Sequence, residues 1–475
     1  MLASSDDEMR LYEEWANKYG RVYRVPGPLG SSRIVLCDPK AVASFYSKET
    51  FTYVRSALGR IFIRTFFGGG LLSTEGETHR RQRKALAPAF SNAAIRELTD
   101  VFFDLAHKCK SIWDDILDSH PEGVVIDVQR WMSNITLDSI GIAGFSHNFG
   151  QLDGKDSDVA VAFDSFGDSR NVFTMFILLL SHYLPFLAAL PTKHNRAIRR
   201  LRKSLSDISY ELLEQTGKES QGGVEEMSIV GLLIKAQEGA ALALKHEEVM
   251  SQLNVILFAG YETTSTSLTW ALIELCRFPE KQQKLRDELL SEFRSSDPTW
   301  DQLMTAIPYL DAVVHETLRM HPPIVMTTRK AAKDDVIPLS APIVTSNGQM
   351  VSSISIAKGT TVSVPIHLMH QAEWFWGSDA KEFYPERWLE PSFGEKNEVQ
   401  GHRHLLSFLD GPRTCLGKNF ALAELKAVLS VLVRNFIFEF DGPEPKIEEY
   451  VSILPRPKFA GEDGAKVPLR VRRVE

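Results

Sequence analysis

Cys415 stands in Phe408-Leu409-Asp410-Gly411-Pro412-Arg413-Thr414-Cys415-Leu416-Gly417, a lone cysteine on a glycine-bearing loop that runs into an apolar segment. A thiolate in that setting can ligate an iron. Gly411 and Gly417 let the backbone turn sharply and approach a flat ring with no Cβ in the way, and Arg413 adds a fixed cation. The following segment reads as a helix beginning at Cys415, whose unpaired N–H groups and dipole favour S⁻ over S–H. The alternative is an inert core cysteine at a tight turn. A second candidate is Glu262-Thr263-Thr264, in the middle of a long segment that is otherwise almost free of charge. A buried acid there is costly without a chemical task or a partner; the bland version is a pair with a distant arginine and hydroxyls bonded back to carbonyls one turn earlier. A third is Glu316-Thr317-Leu318-Arg319. Alone, an acid and a base three apart are commonly a surface pair.

These groups need rigid elements. Residues 247–277 read as one helix of roughly 45 Å at 1.5 Å per residue, apolar all round and so buried. Gly260 and the polar run after it predict a local bulge. Residues 308–320 and 416–436 read as further helices, the last carrying few charges and hence largely buried. Strand alternation predicts a hairpin over 21–37, short strands over 337–364 with turns at Asn347-Gly348 and Lys358-Gly359, and a final hairpin over 450–455. A short helix is expected at 39–47. Residues 76–88 form a basic helix with His79 and Arg83 four apart on one face, by itself a solvated charged surface. Residues 51–72 are apolar and glycine-rich, with Phe62, Phe66, Phe67 and Gly68-Gly69-Gly70. The most apolar stretch, 171–190, is interrupted by Ser181, His182, Tyr183 and Pro185. It reads as a core helix or as a patch that dips into a bilayer rather than a span. Residues 203–239 are charged, with an exposed loop expected at 215–226. The fold class is mostly α with a small β region.

The chain has 475 residues, 44% hydrophobic and 24% charged, and apolar helical segments recur with no linker between them, so one domain over 1–475 is expected. A net charge of −7 gives no footprint for nucleic acid. Four scattered cysteines, Cys37, Cys109, Cys276 and Cys415, form no CxxC pair and point to a reducing compartment. The first ten residues are polar and carry no signal peptide or spanning segment. Asn134-Ile135-Thr136 matches a glycosylation sequon but falls in a helical stretch and is discounted.

The cysteine stretch F-x-x-G-x-R-x-C-x-G, the segment Ala259-Gly260-Tyr261-Glu262-Thr263-Thr264, the E-x-x-R motif and Phe383-Tyr384-Pro385-Glu386-Arg387-Trp388 occur in that family's chain order characteristic of the cytochrome P-450 superfamily, which this chain resembles from about Arg21 to its end. It looks most like fungal microsomal members. The resemblance implies a haem-thiolate monooxygenase with haem b buried between the long central helix and the cysteine-loop helix. It makes Cys415 the axial thiolate, with Phe408 and Arg413 on the cofactor loop. Arg83 and Arg329 then reach haem propionates, and His79 stands where the family usually has tryptophan. Glu262 and Thr263 deliver protons to dioxygen, while Glu316, Arg319 and Arg387 form a structural cluster holding the cysteine loop. Phe62, Phe66, Phe67, Phe258, Ala259, Ile324, Val325, Met326 and Ile453 line the pocket, residues 51–72 being either its mobile roof or an ordinary loop packed by its own aromatics. That lining favours a lipophilic substrate. Gly68-Gly69-Gly70 lacks a dinucleotide frame, so electrons come from a flavoprotein reductase. Lys418, Lys426, Arg80, Arg81 and Lys84 are either docking cations or plain solvated charges. The implied setting is secondary metabolism at the cytosolic face of the endoplasmic reticulum membrane. A haem-thiolate isomerase or dehydratase is a rival, disfavoured by the Glu262–Thr263 pair; a non-catalytic haem-binding protein is another.

Overall fold

Asp38 stands two residues past the end of a strand and starts a helix. Its carboxylate accepts the N–H of Ala41 at 2.9 Å, and Pro39 occupies the first turn, where no N–H is needed. Many elements in the chain begin or end on such local chemistry. A computed structural model describes residues 5–27, 30–155, 228–231, 244–294, 296–390 and 401–474, with Lys203, Asp207, Tyr210 and Val399. The stretches 171–190 and 215–226, where a membrane patch and an exposed loop are expected, lie outside the described residues.

In chain order the elements begin with α1 (Ser5–Tyr19), β1 (Val22–Pro26), β2 (Ser32–Leu36), α2 (Pro39–Ser47) and β3 (Tyr53–Val54). Then come α3 (Ala57–Phe67), α4 (Gly76–Leu86), α5 (Asn92–Glu97), α6 (Thr99–Asp118), β4 (Val124–Asp127) and α7 (Val128–Phe145). After these follow α8 (His246–Arg277), α9 (Pro279–Phe293), α10 (Trp300–Thr305), α11 (Pro308–Met320), β5 (Thr327–Ala331), β6 (Asp335–Val344), β7 (Met350–Ile356) and β8 (Thr361–Val364). The last are α12 (Ile366–Gln371), α13 (Glu373–Trp376), α14 (Lys418–Asn435), β9 (Phe436–Phe440), β10 (Ile447–Val451), β11 (Pro455–Phe459) and β12 (Pro468–Arg473). The mostly helical class with small sheets matches the sequence reading.

Backbone contacts divide the chain into two compact units. The first comprises residues 1–60, 75–80 and 315–418. Its five-stranded sheet runs β1-β2-β8-β5-β3, with β2 and β8 parallel and the other neighbours antiparallel. Val35, Val362 and Val364 are wholly buried in it. Helix α1 adds Met9, Tyr12 and Ala16 to a cluster with Tyr23, Val25 and Val35. Strands β6 and β7 form a separate hairpin, with Asn347 and Gly348 in the connecting turn.

The second unit comprises residues 61–74, 81–314 and 419–475. Here α8 lies along α7, and β4-β12-β9 form one sheet, while among the described residues β10 and β11 pair only with each other. The bulge expected near Gly260 is absent: α8 is continuous over all 32 residues. Two of its hydroxyls bond to carbonyls of their own helix, Thr263 to Ala259 at 2.7 Å and Ser267 to Thr263 at 3.0 Å, and do not interrupt the ladder. Gly260 serves close packing instead, since a Cβ there would sit 2.9 Å from Ile140 of α7. The glycine run after α3 is pinned to α8: the Gly69 N–H donates to Ser251 Oγ at 3.0 Å and the Leu71 N–H to Gln252 Oε1 at 3.0 Å. No described helix is long and apolar enough to cross a membrane.

Candidate functional site

In the first unit the cysteine loop is fixed by its own backbone. The Cys415 N–H donates to Phe408 O at 2.7 Å, and Thr414 Oγ1 donates to Gly411 O at 2.7 Å. Gly411 has φ +64°, and a Cβ there would lie 2.3 Å from Tyr46 O, so no side chain fits without moving backbone. Cys415 is exposed, whereas Cys37, Cys109 and Cys276 are buried. Burial pushes the Cys37 thiol up to about 12 and raises the other two buried thiols as well. The inert core cysteine is therefore not the reading that fits Cys415. One expectation needs correcting: α14 begins at Lys418, so Cys415 precedes the helix by three residues rather than opening it. Leu416 and Gly417, in a turn, separate it from the helix.

Beside the loop lies a buried charge cluster that no motif announced. Arg413 pairs with Glu75, Arg329 Nε lies 2.7 Å from Glu49 Oε1, and the Arg55 backbone N–H donates to Glu75 Oε1 at 2.9 Å. Three guanidinium groups thus face two carboxylates. Burial, then Arg329 and Arg413, pull the Arg55 pKa down to about 9; burial raises Glu49 despite the arginines. Arg55 Nε has no hydrogen-bond partner among the described residues. An excess cation with an orphaned donor fits a group that brings carboxylates, as haem propionates would. Arg329 and Arg413 were expected to face the cofactor; Arg55, Glu49 and Glu75 were not foreseen, because only the fold gathers them. On α4, His79 is 2% exposed and Arg83 follows one turn later, half-buried.

Glu316 on α11 is wholly buried. It accepts from Arg319 Nε and Nη2 at 2.8 and 2.9 Å, Arg387 Nε at 3.0 Å, Trp388 Nε1 at 2.9 Å and the Tyr384 N–H at 2.7 Å. Arg319 also donates to the carbonyls of His370, Ala380 and Glu382. Two bonds carry this cluster to the loop before Cys415. His370 Nε2 accepts the Leu406 N–H at 2.8 Å while its Nδ1 stands 3.2 Å from Arg319 O, and Ser407 Oγ donates to Leu318 O at 2.6 Å. Those bonds require Nδ1–H, neutral imidazole. Burial, then Arg319 and His367, hold the His370 pKa down to about 3. Sequence reasoning missed His370, which belongs to no recognised pattern.

In the second unit Glu262 is 1% exposed and its carboxylate takes a two-pronged bond from Arg456 of β11, at 2.7 and 2.6 Å. The partner is the distant arginine of the bland alternative. Thr263 gives its hydroxyl proton to Ala259 O, leaving its oxygen to accept; both residues are half-buried. Phe62, Phe66, Phe67 and Phe258 form one aromatic row, with centroids 4.5, 6.1 and 4.8 Å apart in succession. Ile453 is half-buried at the tip of the β10–β11 hairpin. Of the other expected pocket residues, all in the first unit, Ile324 is 36% exposed, Val325 O accepts the His367 N–H at 3.1 Å and Met326 packs on the α1 cluster. Glu424 of α14 is fully buried with neither oxygen hydrogen-bonded; the hydroxyls of Ser139 and Thr264 face it without bonding geometry. Burial pushes its pKa up to about 8 against those hydroxyls.

Two expected docking cations are already committed. Lys426 is 1% exposed, 2.7 Å from Asp311 and 3.3 Å from the Leu303 and Met304 carbonyls. Arg81 pairs with Glu248. Lys426 lies within a helix whose other faces are equally covered, and its ammonium finds carbonyls inside rather than water. Arg80 and Lys84 are exposed, and Lys418 Nζ lies 3.4 Å from His402 Nδ1.

The family profile described as Cytochrome P450 matches residues 1–460. A protein named cytochrome P450 monooxygenase claP, from Ampulloclitocybe clavipes, is 62% identical over 100% of this chain and 90% of its own length. Cytochrome P450 monooxygenase 205 of Postia placenta is 36% identical over 97% of this chain and 88% of its own. Ganoderic acid synthetase CYP5150L8 of Ganoderma lucidum is 33% identical over 89% and 82%. An exposed thiol on a rigid loop, flanked by an arginine excess that calls for carboxylates, is what a haem-thiolate protein needs, and with these relatives the chain belongs to the cytochrome P450 family of fungal monooxygenases.

Proposed function

We propose that residues 1–475 act as one catalytic domain in which Cys415 gives the axial thiolate to haem b, and that it oxygenates a lipophilic small molecule. The observation that carries this reading is the exposed Cys415 on a loop locked by Phe408, Gly411 and the Glu316 network. When bound, the haem supplies the iron at which dioxygen is reduced and one oxygen atom passes to the substrate. Arg55, Arg329, Arg413, Arg83 and His79 would hold its propionates, and Phe408 and Arg413 would border the thiolate. The aromatic row from Phe62 to Phe258, with Ala259 and Ile453, would bind and desolvate the apolar substrate. Thr263, with its hydroxyl proton on Ala259 O, presents an oxygen that can hold a water, and it donates elsewhere only by rotating off that carbonyl. Glu262 would pass protons from solvent to Thr263. Electrons would come from a flavoprotein reductase at the cytosolic face of the endoplasmic reticulum membrane, with Lys84, Lys418 and Arg80, the last in an exposed pair with Glu77, as docking cations.

The test is a balance of reductant, peroxide and product. Thr263→Ala is expected to consume reductant and oxygen while making several-fold less product and more peroxide. Coupling equal to the parent's would remove Thr263 from the proton route.

A further inference from the structure

We infer that Arg456 is the positioning residue for Glu262, and that the β10–β11 hairpin couples the acid's availability to occupancy at the hairpin tip. This rests on the reading of Glu262 and Thr263 as the proton-handling pair.

Both carboxylate oxygens of Glu262 are engaged by one guanidinium, and the two residues are 1% and 4% exposed. The guanidinium also stands 5.9 Å from the centre of the Tyr261 ring. In that state Glu262 is an ion-paired acceptor and holds no proton to give. The arginine comes from a two-stranded hairpin, and β10 and β11 pair with no third strand among the described residues. An isolated hairpin is marginal in water, so its seat depends on side-chain anchors, and the pair with Glu262 is a buried one. Residues 452–454, Ser452-Ile453-Leu454, form the half-buried tip, and Ile453 lies three positions from Arg456. An apolar molecule covering Ile453 and Leu454 moves the strand that carries Arg456. The released carboxylate then takes a proton from a solvent water and hands a proton to the Thr263 oxygen as Thr263 gives up its own. Glu262 returns to the carboxylate that Arg456 holds again. One proton enters from water, one leaves at Thr263, and no electron moves. With the tip empty the acid stays latched, which would keep reductant and oxygen from being consumed without substrate.

The first measurement is hydrogen–deuterium exchange of the haem-loaded full chain without substrate. Glu262→Gln, nearly isosteric, and Arg456→Met should each raise exchange across 447–459 about tenfold, and the double variant should add nothing beyond the larger single effect. Arg456→Lys should stay within about threefold of the parent. The second measurement is the rate at which substrate-free enzyme consumes NADPH when given a flavoprotein reductase and oxygen. Arg456→Met should consume it several-fold faster than the parent, with Arg456→Lys close to the parent. Unchanged exchange in both single variants, or parent-level NADPH consumption by Arg456→Met, would overturn the latch. The exchange experiment needs no turnover, so it can fail while monooxygenation stands.

Discussion

The chain contains two buried glutamate–arginine networks, and they are built differently. Around Glu316, every lone pair in reach is used: two arginines, a tryptophan and a backbone N–H converge on one carboxylate, and Arg319 reaches three carbonyls besides. Around Glu262 there is one partner, supplied by a hairpin that pairs with nothing else among the described residues. Breaking a buried pair by removing one member strands the other charge, at about 3–5 kcal/mol. In the first network that loss spreads to the backbone of α12, the Ala380 turn and the cysteine loop. In the second it stays local. A network that shares its charge among many fixed groups stiffens a site, whereas a single pair on a light element can open.

Three perturbations would break or sharpen that contrast. The largest effect is expected from Arg319→Ala, which orphans Glu316 and three carbonyls; the loss of about 3–5 kcal/mol should leave mainly haem-free or misfolded protein on purification. A fully haem-loaded Arg319→Ala protein with the parent's thermal midpoint would erase the distinction. Replacing both members of the other pair, Glu262→Gln with Arg456→Gln, removes the charges together. It should keep haem content and shift stability by only about 1 kcal/mol. The smallest effect concerns His370. Its pKa is about 3 in the folded chain against an ordinary 6.5, so the unfolded chain binds the extra proton and stability falls as pH drops from 6.5 towards 3. Between pH 7 and 5.5 this one group should contribute a loss of about 1 kcal/mol. His370→Gln, which cannot titrate but can both accept and donate, should flatten the urea midpoint over that interval by that amount.

Local chemistry made much of this molecule legible before any coordinates. The long helix at 246–277, the helix after Asp38, the Asn347-Gly348 turn and the E-x-x-R helix all follow from periodicity, caps and turn residues. The cysteine loop was readable because its glycine and arginine spacing is dense. What escaped depends on contacts that span the chain. Arg456 meets Glu262 across 194 positions, and Glu49, Arg55, Glu75 and Arg329 meet only once the first unit has folded. The bulge predicted at Gly260 failed because a glycine in a helix is ambiguous: it can loosen the ladder or admit a neighbour, and Ile140 decides for the second. Lys426 misled for a related reason, since a charge on a mostly apolar helix says nothing about whether Asp311 waits for it inside.

The central claim is that Cys415 carries the iron of a haem that the arginine cluster helps to hold. The direct measurement is the absorption spectrum of the ferrous carbon monoxide complex of the parent and of Cys415→Ala, each with haem content determined independently. The parent should show the red-shifted Soret band of thiolate ligation, and Cys415→Ala, with haem still bound, should lose that band entirely. A Cys415→Ala protein that retained it would contradict the assignment of the thiolate and the site built around it.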